Sequence, residues 1–515
     1  MKKITYYIIL AIFSLFINQY IANRGAFPID SFLIFDAAYN IVEGNHPFKD
    51  YWLITGPFVD YVQSLFFLLF GVSWTSYVLH ASVVNMALTL FSYYYFLKIG
   101  LKNFYAFIYS LGIAILAYPS IGTPFVDHHS VIFCIMACFS VSLAILTKRN
   151  FFFLLTPIFL TFSFFSKQIP SPYFVVLFAI VISIYFYFIK NINKNILLNL
   201  FFGSFLSIFA VISIFFINEI PLKNFLLQYI FYPASLGEER IERLNIDFAN
   251  LVGQFKYIYF TLIPLIIGIF FITKIKNKNL TEKKDFVISL LFLGATGILI
   301  YCQLLTKNQV LIFFLIPIAA AYSHVYTIKY YNKKYLIYFI LAIFIFTTAK
   351  YHVRFNQNRK FIELVNVDFS LTQNASQIDK KLRGLKWITP HYPNNPKKEI
   401  NLLNESKNIL SGKKEDKIII TDYQFFSSIL KNNFASPNKW YDDLSIPPRE
   451  NKYYKAHKNF FIEKLSKNKV KYLFFIGKNK HEMYFFKEFS NENNCVVTNK
   501  LNELLIEFDI RKCEF

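Results

Sequence analysis

FPIDSFLIFDAAYNIVEGNHPFKDYWLITGP, residues Phe27–Pro57, is a polar interruption between an apolar N-terminal run and a long apolar remainder. It carries four acids, Asp30, Asp36, Glu43 and Asp50. An ionised Asp at the bilayer centre costs about 2.5 to 3.5 kcal/mol on insertion scales, so such groups sit at the interface or face a polar cavity and are functional candidates by default. The surrounding chain of 515 residues is 55% hydrophobic, with 63 Phe and 35 Tyr, and only 17% charged. That composition places it in a membrane rather than among soluble proteins.

A crossing helix needs roughly 20 apolar residues. Uncharged runs near that length recur at 5–22, 77–97, 104–118, 128–146, 151–165, 173–189, 196–217, 257–273, 286–306, 310–328 and 335–349, so eleven spans are expected. The stretch 57–70 is also apolar but holds Asp60 and Gln63. Counting it as a span would move every later basic cluster to the opposite side, so it is read as an interfacial or re-entrant helix, permitted where its backbone is buried in protein. The first run has Lys2 and Lys3 before its apolar core, yet bulky Tyr20 spoils a cleavage site after Ala22, and an uncleaved anchor is expected.

The net charge of +22 would suggest nucleic acid in a soluble protein, but here Lys residues punctuate the spans and no nucleic-acid partner is expected. Basic clusters at Lys2/Lys3, Lys98/Lys102, Lys148/Arg149, Lys190/Lys194, 274–285 and 329–334 are each separated from the next by two spans. The positive-inside rule puts them in the cytoplasm, leaves the N-terminus inside and sends the C-terminus out, as in a multi-pass protein of the inner (plasma) membrane.

Composition changes near Lys350, dividing a membrane domain, 1–349, from a soluble exported domain, 350–515. In the latter, 417–421, 470–476 and 504–510 read as strands and 453–465 as a helix, a small α/β unit. Cys495 and Cys513 lie in that tail, where an oxidising compartment would allow them to pair. No Gly-rich phosphate loop, paired-Cys motif or HExxH motif occurs, and no internal repeat is visible.

By this topology one face collects Asp30, Asp36, His46, Lys49, Asp50, Asp127, His128, His129, Lys167, Gln168, Arg240, Arg243 and Lys307 from five loops. Acids, bases and phosphate-binding groups distant in sequence but gathered on one face are what an interfacial site requires. Each also has a plainer reading. Asp30 caps a helix over 31–42, acts as a catalytic carboxylate, or does both. Asp36 solvates a face of that helix. Asp127 sits at a helix N-terminus, where a carboxylate helps regardless of function. Lys167 could anchor at the interface, and Arg240 and Arg243 alternate with Glu238, Glu239 and Glu242 and could pair along a helix.

The run Asp30 to Ala38, followed by Gly44, Pro47, Lys49-Asp50-Tyr51 and Gly56-Pro57, resembles the first outer loop of GT-C fold membrane glycosyltransferases, a family that includes protein O-mannosyltransferases and bacterial envelope transferases. Asp30 matches the family's catalytic acid, Lys49 and Asp50 its basic-Asp-aromatic triplet, Asp127 its second acid, and Lys167-Gln168 a pair common in bacterial members. The chain departs from the pattern at Ser31, where an acidic or polar neighbour is usual, and at Thr55-Gly56-Pro57, where a basic residue and two prolines are usual.

The resemblance implies sugar transfer from a polyprenyl-phosphate-linked donor to an envelope lipid, glycan or protein on the outer face, with Asp30 and Asp127 catalytic. Lys49, Asp50, His128, His129, Lys167, Gln168, Arg240 and Arg243 are then expected to bind substrate. The resemblance makes no cofactor certain, since some related enzymes use a metal and many do not, and Asp127, His128 and His129 would be the divalent-metal set. Two other readings stay open: an O-antigen ligase or polymerase relying on the arginines of 218–256, and a lipid or sugar transporter.

Overall fold

The computed structural model describes all residues except 1, 191–193, 243, 245–246, 276–277, 308–310, 414–415, 432–435, 443, 479–494 and 514–515. The helices are α1 Lys2–Ala22, α2 Pro28–Ser31, α3 Phe35–Val42, α4 Phe58–Phe70, α5 Trp74–Ile99, α6 Asn103–Leu116, α7 Val126–Thr147, α8 Phe151–Ser166, α9 Ser171–Ile189 and α10 Lys194–Ile217. They continue with α11 Leu222–Phe225, α12 Tyr232–Glu242, α13 Lys256–Lys274, α14 Leu280–Leu305, α15 Leu315–Tyr326, α16 Lys334–Tyr351, α17 Pro396–Gly412, α18 Phe426–Leu430 and α19 Tyr454–Lys467. Each apolar run read as a span overlaps a helix, the run 310–328 only from Leu315 on, and 57–70 overlaps α4. Among the described residues, seven helices are long and apolar enough to cross a membrane: α1, α7, α9, α10, α13, α14 and the one that begins at Lys334.

Local chemistry fixes the helix ends. Ser73 and Ser76 form a reciprocal capping box at the start of α5, and Asn279 and Glu282 do the same for α14, each satisfying amide groups that a helix start leaves unpaired. The bundle is held by buried amides as well as by packing. Asn85 on α5 donates to the carbonyls of Ser14 and Ala114, and Asn18 on α1 donates to Ser82 and to Gly122 O at 3.0 Å each. α7 is almost wholly enclosed, whereas α10 is peripheral and presents Phe201, Phe205 and Phe209 as an exposed stacked row. Such a surface is stable against lipid tails and not against water.

Beyond α16 come a two-stranded pair, β1 Gln373–Asn374 and β2 Lys386–Trp387, and a sheet of β3 Lys417–Thr421, β4 Tyr472–Ile476, β5 Val497–Lys500 and β6 Leu505–Asp509. The sheet order is β3-β4-β6-β5, with β3 parallel to β4 and the other pairs antiparallel. One face (Ile418, Ile420, Leu473, Phe475, Phe508) packs on Phe461 and Leu465 of α19. The other face joins the main core through Ile419, Phe474 and Leu505. The three strands and α19 agree with the sequence reading; β5 and α17 were not foreseen. Cys495 and Cys513 form a disulfide.

One local expectation is corrected. The helix read over 31–42 begins at Phe35: α2 ends at Ser31 with Phe32 as its C-cap, and a turn closed by Phe35 N donating to Phe32 O at 2.9 Å separates the two helices.

Candidate active site

Asp30 lies in α2, whose first position is Pro28, a residue with a pre-set φ and no amide hydrogen to leave unpaired. Ser31 Oγ accepts from Phe27 N at 3.0 Å and closes this turn. The Asp30 carboxylate caps neither α2 nor α3, so the capping reading is not met. It lines a cavity of about 360 Å³ together with Asp127, Lys167, Gln168 and Arg240, residues from four separate loops. The walls are largely apolar, from Leu33, Phe164, Tyr173, Ile230, Leu236 and Leu305 at the ends of several helices. Burial in these surroundings pushes the Asp30 carboxyl up from 3.8 to about 7; Glu363, Asp127 and Asp442 push the same way and Lys167 opposes them.

Asp127 is the second residue of α7, and its Oδ1 accepts from Lys167 Nζ at 2.6 Å. The pair is enclosed, with 3% and 14% of the two side chains exposed, so the ammonium is held at the cavity wall. Lys167 ends α8 in an extended conformation. The crossing of the first loop over this end leaves room only for Gly56: its amide donates to Ser166 O at 3.1 Å, and a Cβ there would lie 1.8 Å from Phe165 O. Gln168 Nε2 donates to Ile54 O at 2.7 Å and Tyr229 O at 2.8 Å, tying three loops into one wall. Arg240 reaches the cavity from α12.

The loop before α7 is fixed from two sides. Arg359 is buried and donates to the carbonyls of Pro119, Ser120 and Ile121 at 2.9, 3.2 and 2.9 Å. Gly122, at φ +87°, passes so close to α1 that a Cβ would meet Ala22 Cα at 2.8 Å. These contacts hold the loop that leads into α7 and Asp127.

A second cavity, about 800 Å³, adjoins the first, and Asp30 and Phe125 line both. Its wall carries Lys256, Lys307, Lys350, Arg354 and Lys360, with Glu363 and Asp30 as its acids. Residues of all five loops expected on one face thus meet around Asp30, Lys307 on this side.

Other expected binders lie elsewhere. Lys49 donates to Glu219 and to Asn218 O, and Asp50 accepts from His46 N and faces Lys464 at 3.8 Å. The turn holding them is drawn away by Phe48, which packs on Phe225 and Tyr229. His128 and His129 point into the bundle. His129 bonds Tyr118 OH at 2.6 Å and His80 Nε2 at 3.0 Å, and His128 bonds Ser120 Oγ at 3.1 Å. With both His129 nitrogens engaged and Asp127 committed to Lys167, the suggested metal set does not assemble, and among the described residues no group of three such ligands occurs. Arg243 lies outside the described residues. Asp36 accepts from Ser427 N and Ser428 N at 3.2 and 3.3 Å, capping α18 from across the structure rather than joining the site.

Sequence reasoning missed Glu363, four cations of the second cavity, and a stretch from the C-terminal part, Trp440, Asp442, Leu444 and Ser445, that walls the first. No spacing or motif marks these residues; only the fold brings them there.

No family model matches the chain, and no curated protein matches it in sequence. Among solved structures it is similar to ArnT from Cupriavidus metallidurans bound to undecaprenyl phosphate, at 10% identity and TM-score 0.47, covering 98% of this chain and 97% of that one. The apo form of the same protein gives 10% identity and TM-score 0.45, covering 99% of each chain. These values describe a loose likeness and leave the chemistry to the residues of the site.

Proposed function

We propose that the chain is a membrane glycosyltransferase of the GT-C type, moving a sugar from a polyprenyl-phosphate donor to an acceptor on the outer face of the inner membrane. The observation that carries this reading is the position of Asp30 between an apolar cavity lined by Lys167 and Arg240 and a second cavity rich in cations. A donor whose isoprenoid gains about 0.8 kcal/mol per buried methylene stays in the bilayer, and the apolar cavity at the helix ends suits it. The acceptor approaches through the second cavity, whose five cations favour one carrying negative charge.

In the reaction, an acceptor hydroxyl or amine attacks the anomeric carbon as Asp30 takes its proton. A carboxylate whose pKa is about 7 is suited to a base at neutral pH, and a positioned base contributes typically about 10² to 10⁴ in rate. The bond from the anomeric carbon to the phosphate oxygen breaks and its electron pair leaves on the lipid phosphate. Lys167 and Arg240 stabilise that charge, Arg240 offering the bidentate geometry. Asp127 acts by holding Lys167.

The test is Asp30→Asn. In membranes given undecaprenyl-phosphate-linked sugar, and in mass spectra of envelope lipids and glycans from cells carrying each form, the variant should insert normally and transfer nothing. Transfer at the wild-type rate would end the assignment.

A further inference from the structure

A third cavity, of about 560 Å³, lies at the end of α1 where the first loop begins, and it shares no lining residue with the other two. Tyr20 and its helix neighbours Ile17 and Ile21 form one side, and His352, Gln357 and Asn358, which follow α16, form the other. Arg24 and Phe369 complete it, and no Asp or Glu lines it among the described residues. Its volume falls within the roughly 300 to 1,000 Å³ of small-ligand sites.

Two nitrogens of this lining have hydrogen to donate and nothing to receive it. The Arg24 guanidinium stands 4.9 Å from the centre of the Phe369 ring, and its Nη2 donates to Gln357 O at 3.4 Å. Nη1 has no hydrogen-bond partner among the described residues, and no acid pairs with the group. The state of His352 is set from its other nitrogen: Asn356 Nδ2 donates to Ile115 O at 2.8 Å and to His352 Nδ1 at 3.1 Å, which leaves the ring proton on Nε2. Nε2 also lacks a partner among the described residues. Neither nitrogen is sealed inside the protein, since both side chains are part-exposed and neither atom is among the buried unpaired ones.

The cavity opens toward the part of the molecule that meets lipid. α1 is long and apolar enough to cross a membrane, and Ile4, Ile8, Ile12, Phe16 and Tyr20 are exposed along it at a spacing of four, on one winding stripe that ends beside Arg24. α6 packs on α1 through Tyr6 and Phe107, whose rings are 4.7 Å apart, and on α16 through Tyr109 and Phe344 at 5.0 Å. It therefore floors a groove between α1 and α16 that leads to the cavity. Basic groups at a membrane surface attract anionic headgroups, and here the cation stands at the head of an apolar groove.

We propose that this cavity binds the headgroup of an anionic glycerophospholipid such as phosphatidylglycerol. The phosphate accepts from Arg24 Nη1 and His352 Nε2, the glycerol hydroxyls meet the side-chain amides of Gln357 and Asn358, and an acyl chain follows the groove over α6. With no acid in the lining, a headgroup ammonium finds no partner, so phosphatidylethanolamine and phosphatidylcholine bind less well.

The test is native mass spectrometry of the full chain released from nanodiscs made of tail-matched phosphatidylglycerol and phosphatidylcholine in equal parts. Wild type should retain phosphatidylglycerol over phosphatidylcholine by about 5-fold, the factor one basic residue supplies at a charged lipid surface. Arg24→Gln should bring that ratio below about two-fold while phosphatidylcholine retention is unchanged. His352→Phe, which keeps a ring and loses the donor, should lower the ratio too and carries the test if Arg24→Gln does not fold. Lys223→Gln, at an exposed cation outside this cavity, should leave the ratio intact, and excess inorganic phosphate should not displace the lipid. Equal retention of the two lipids by wild type, a preference that survives both cavity variants or falls as far in Lys223→Gln, or displacement by inorganic phosphate overturns the site.

Discussion

The pH dependence of transfer tests the site most directly. Asp30 must be ionised to accept a proton, and its surroundings hold its pKa near 7 instead of 3.8. About one molecule in eleven is then competent at pH 6 and about ten in eleven at pH 8, so kcat/KM should rise about 10-fold across that interval, with a slope near one below the midpoint. The sign is fixed: activity is lost as pH falls through the raised pKa. An unperturbed carboxyl would give a flat profile over the same range. Burial is the largest cause of the shift and Glu363 the next, so Glu363→Gln should move the acid limb to lower pH without removing activity. The assay is initial-rate release of undecaprenyl phosphate in nanodiscs at constant ionic strength, with excess donor to expose the chemical step. A profile level from pH 5.5 to 8.5, or a limb that Glu363→Gln moves upward, would refute Asp30 as the base.

Lys167→Gln should lower kcat/KM by about 10²-fold, because a buried cation at the leaving phosphate is lost, and Asp127→Asn should cost about 10-fold through a misplaced ammonium; steady-state kinetics at pH 8 separates them. Gly56→Ala forces a methyl into Phe165 O and should sharply reduce the yield of folded protein in detergent, as read by size-exclusion chromatography. Asp60→Asn strands Lys439 in a dry site and should destabilise the fold by about 3 to 5 kcal/mol, whereas Asp60→Leu with Lys439→Met should recover most of that; thermal denaturation reports both.

The bundle was legible because lipid imposes length and apolarity on each crossing: each apolar run overlaps a helix, although among the described residues seven helices, not eleven, are long and apolar enough to cross. The gathering of Asp30, Asp127, Lys167 and Arg240 was legible for a related reason: alternating basic clusters assign loops to faces, and a shared face is a precondition for a shared cavity. Charge counting cannot say where on that face a side chain ends. Lys49 is captured by Glu219, and His129 satisfies its ring inside the bundle with His80 and Tyr118. Trp440 and Ser445 join Thr55 across nearly 400 residues of chain through contacts, such as Lys439 to Asp60, that no local pattern encodes.

Among the described residues Asp30 and Phe125 border both cavities, so a donor in the first and an acceptor in the second, as proposed, would each have its own doorway and neither would have to vacate for the other. On that reading turnover is expected to run through a ternary complex, without a glycosylated enzyme standing in between. Initial-rate plots at several fixed acceptor concentrations should accordingly intersect rather than run parallel.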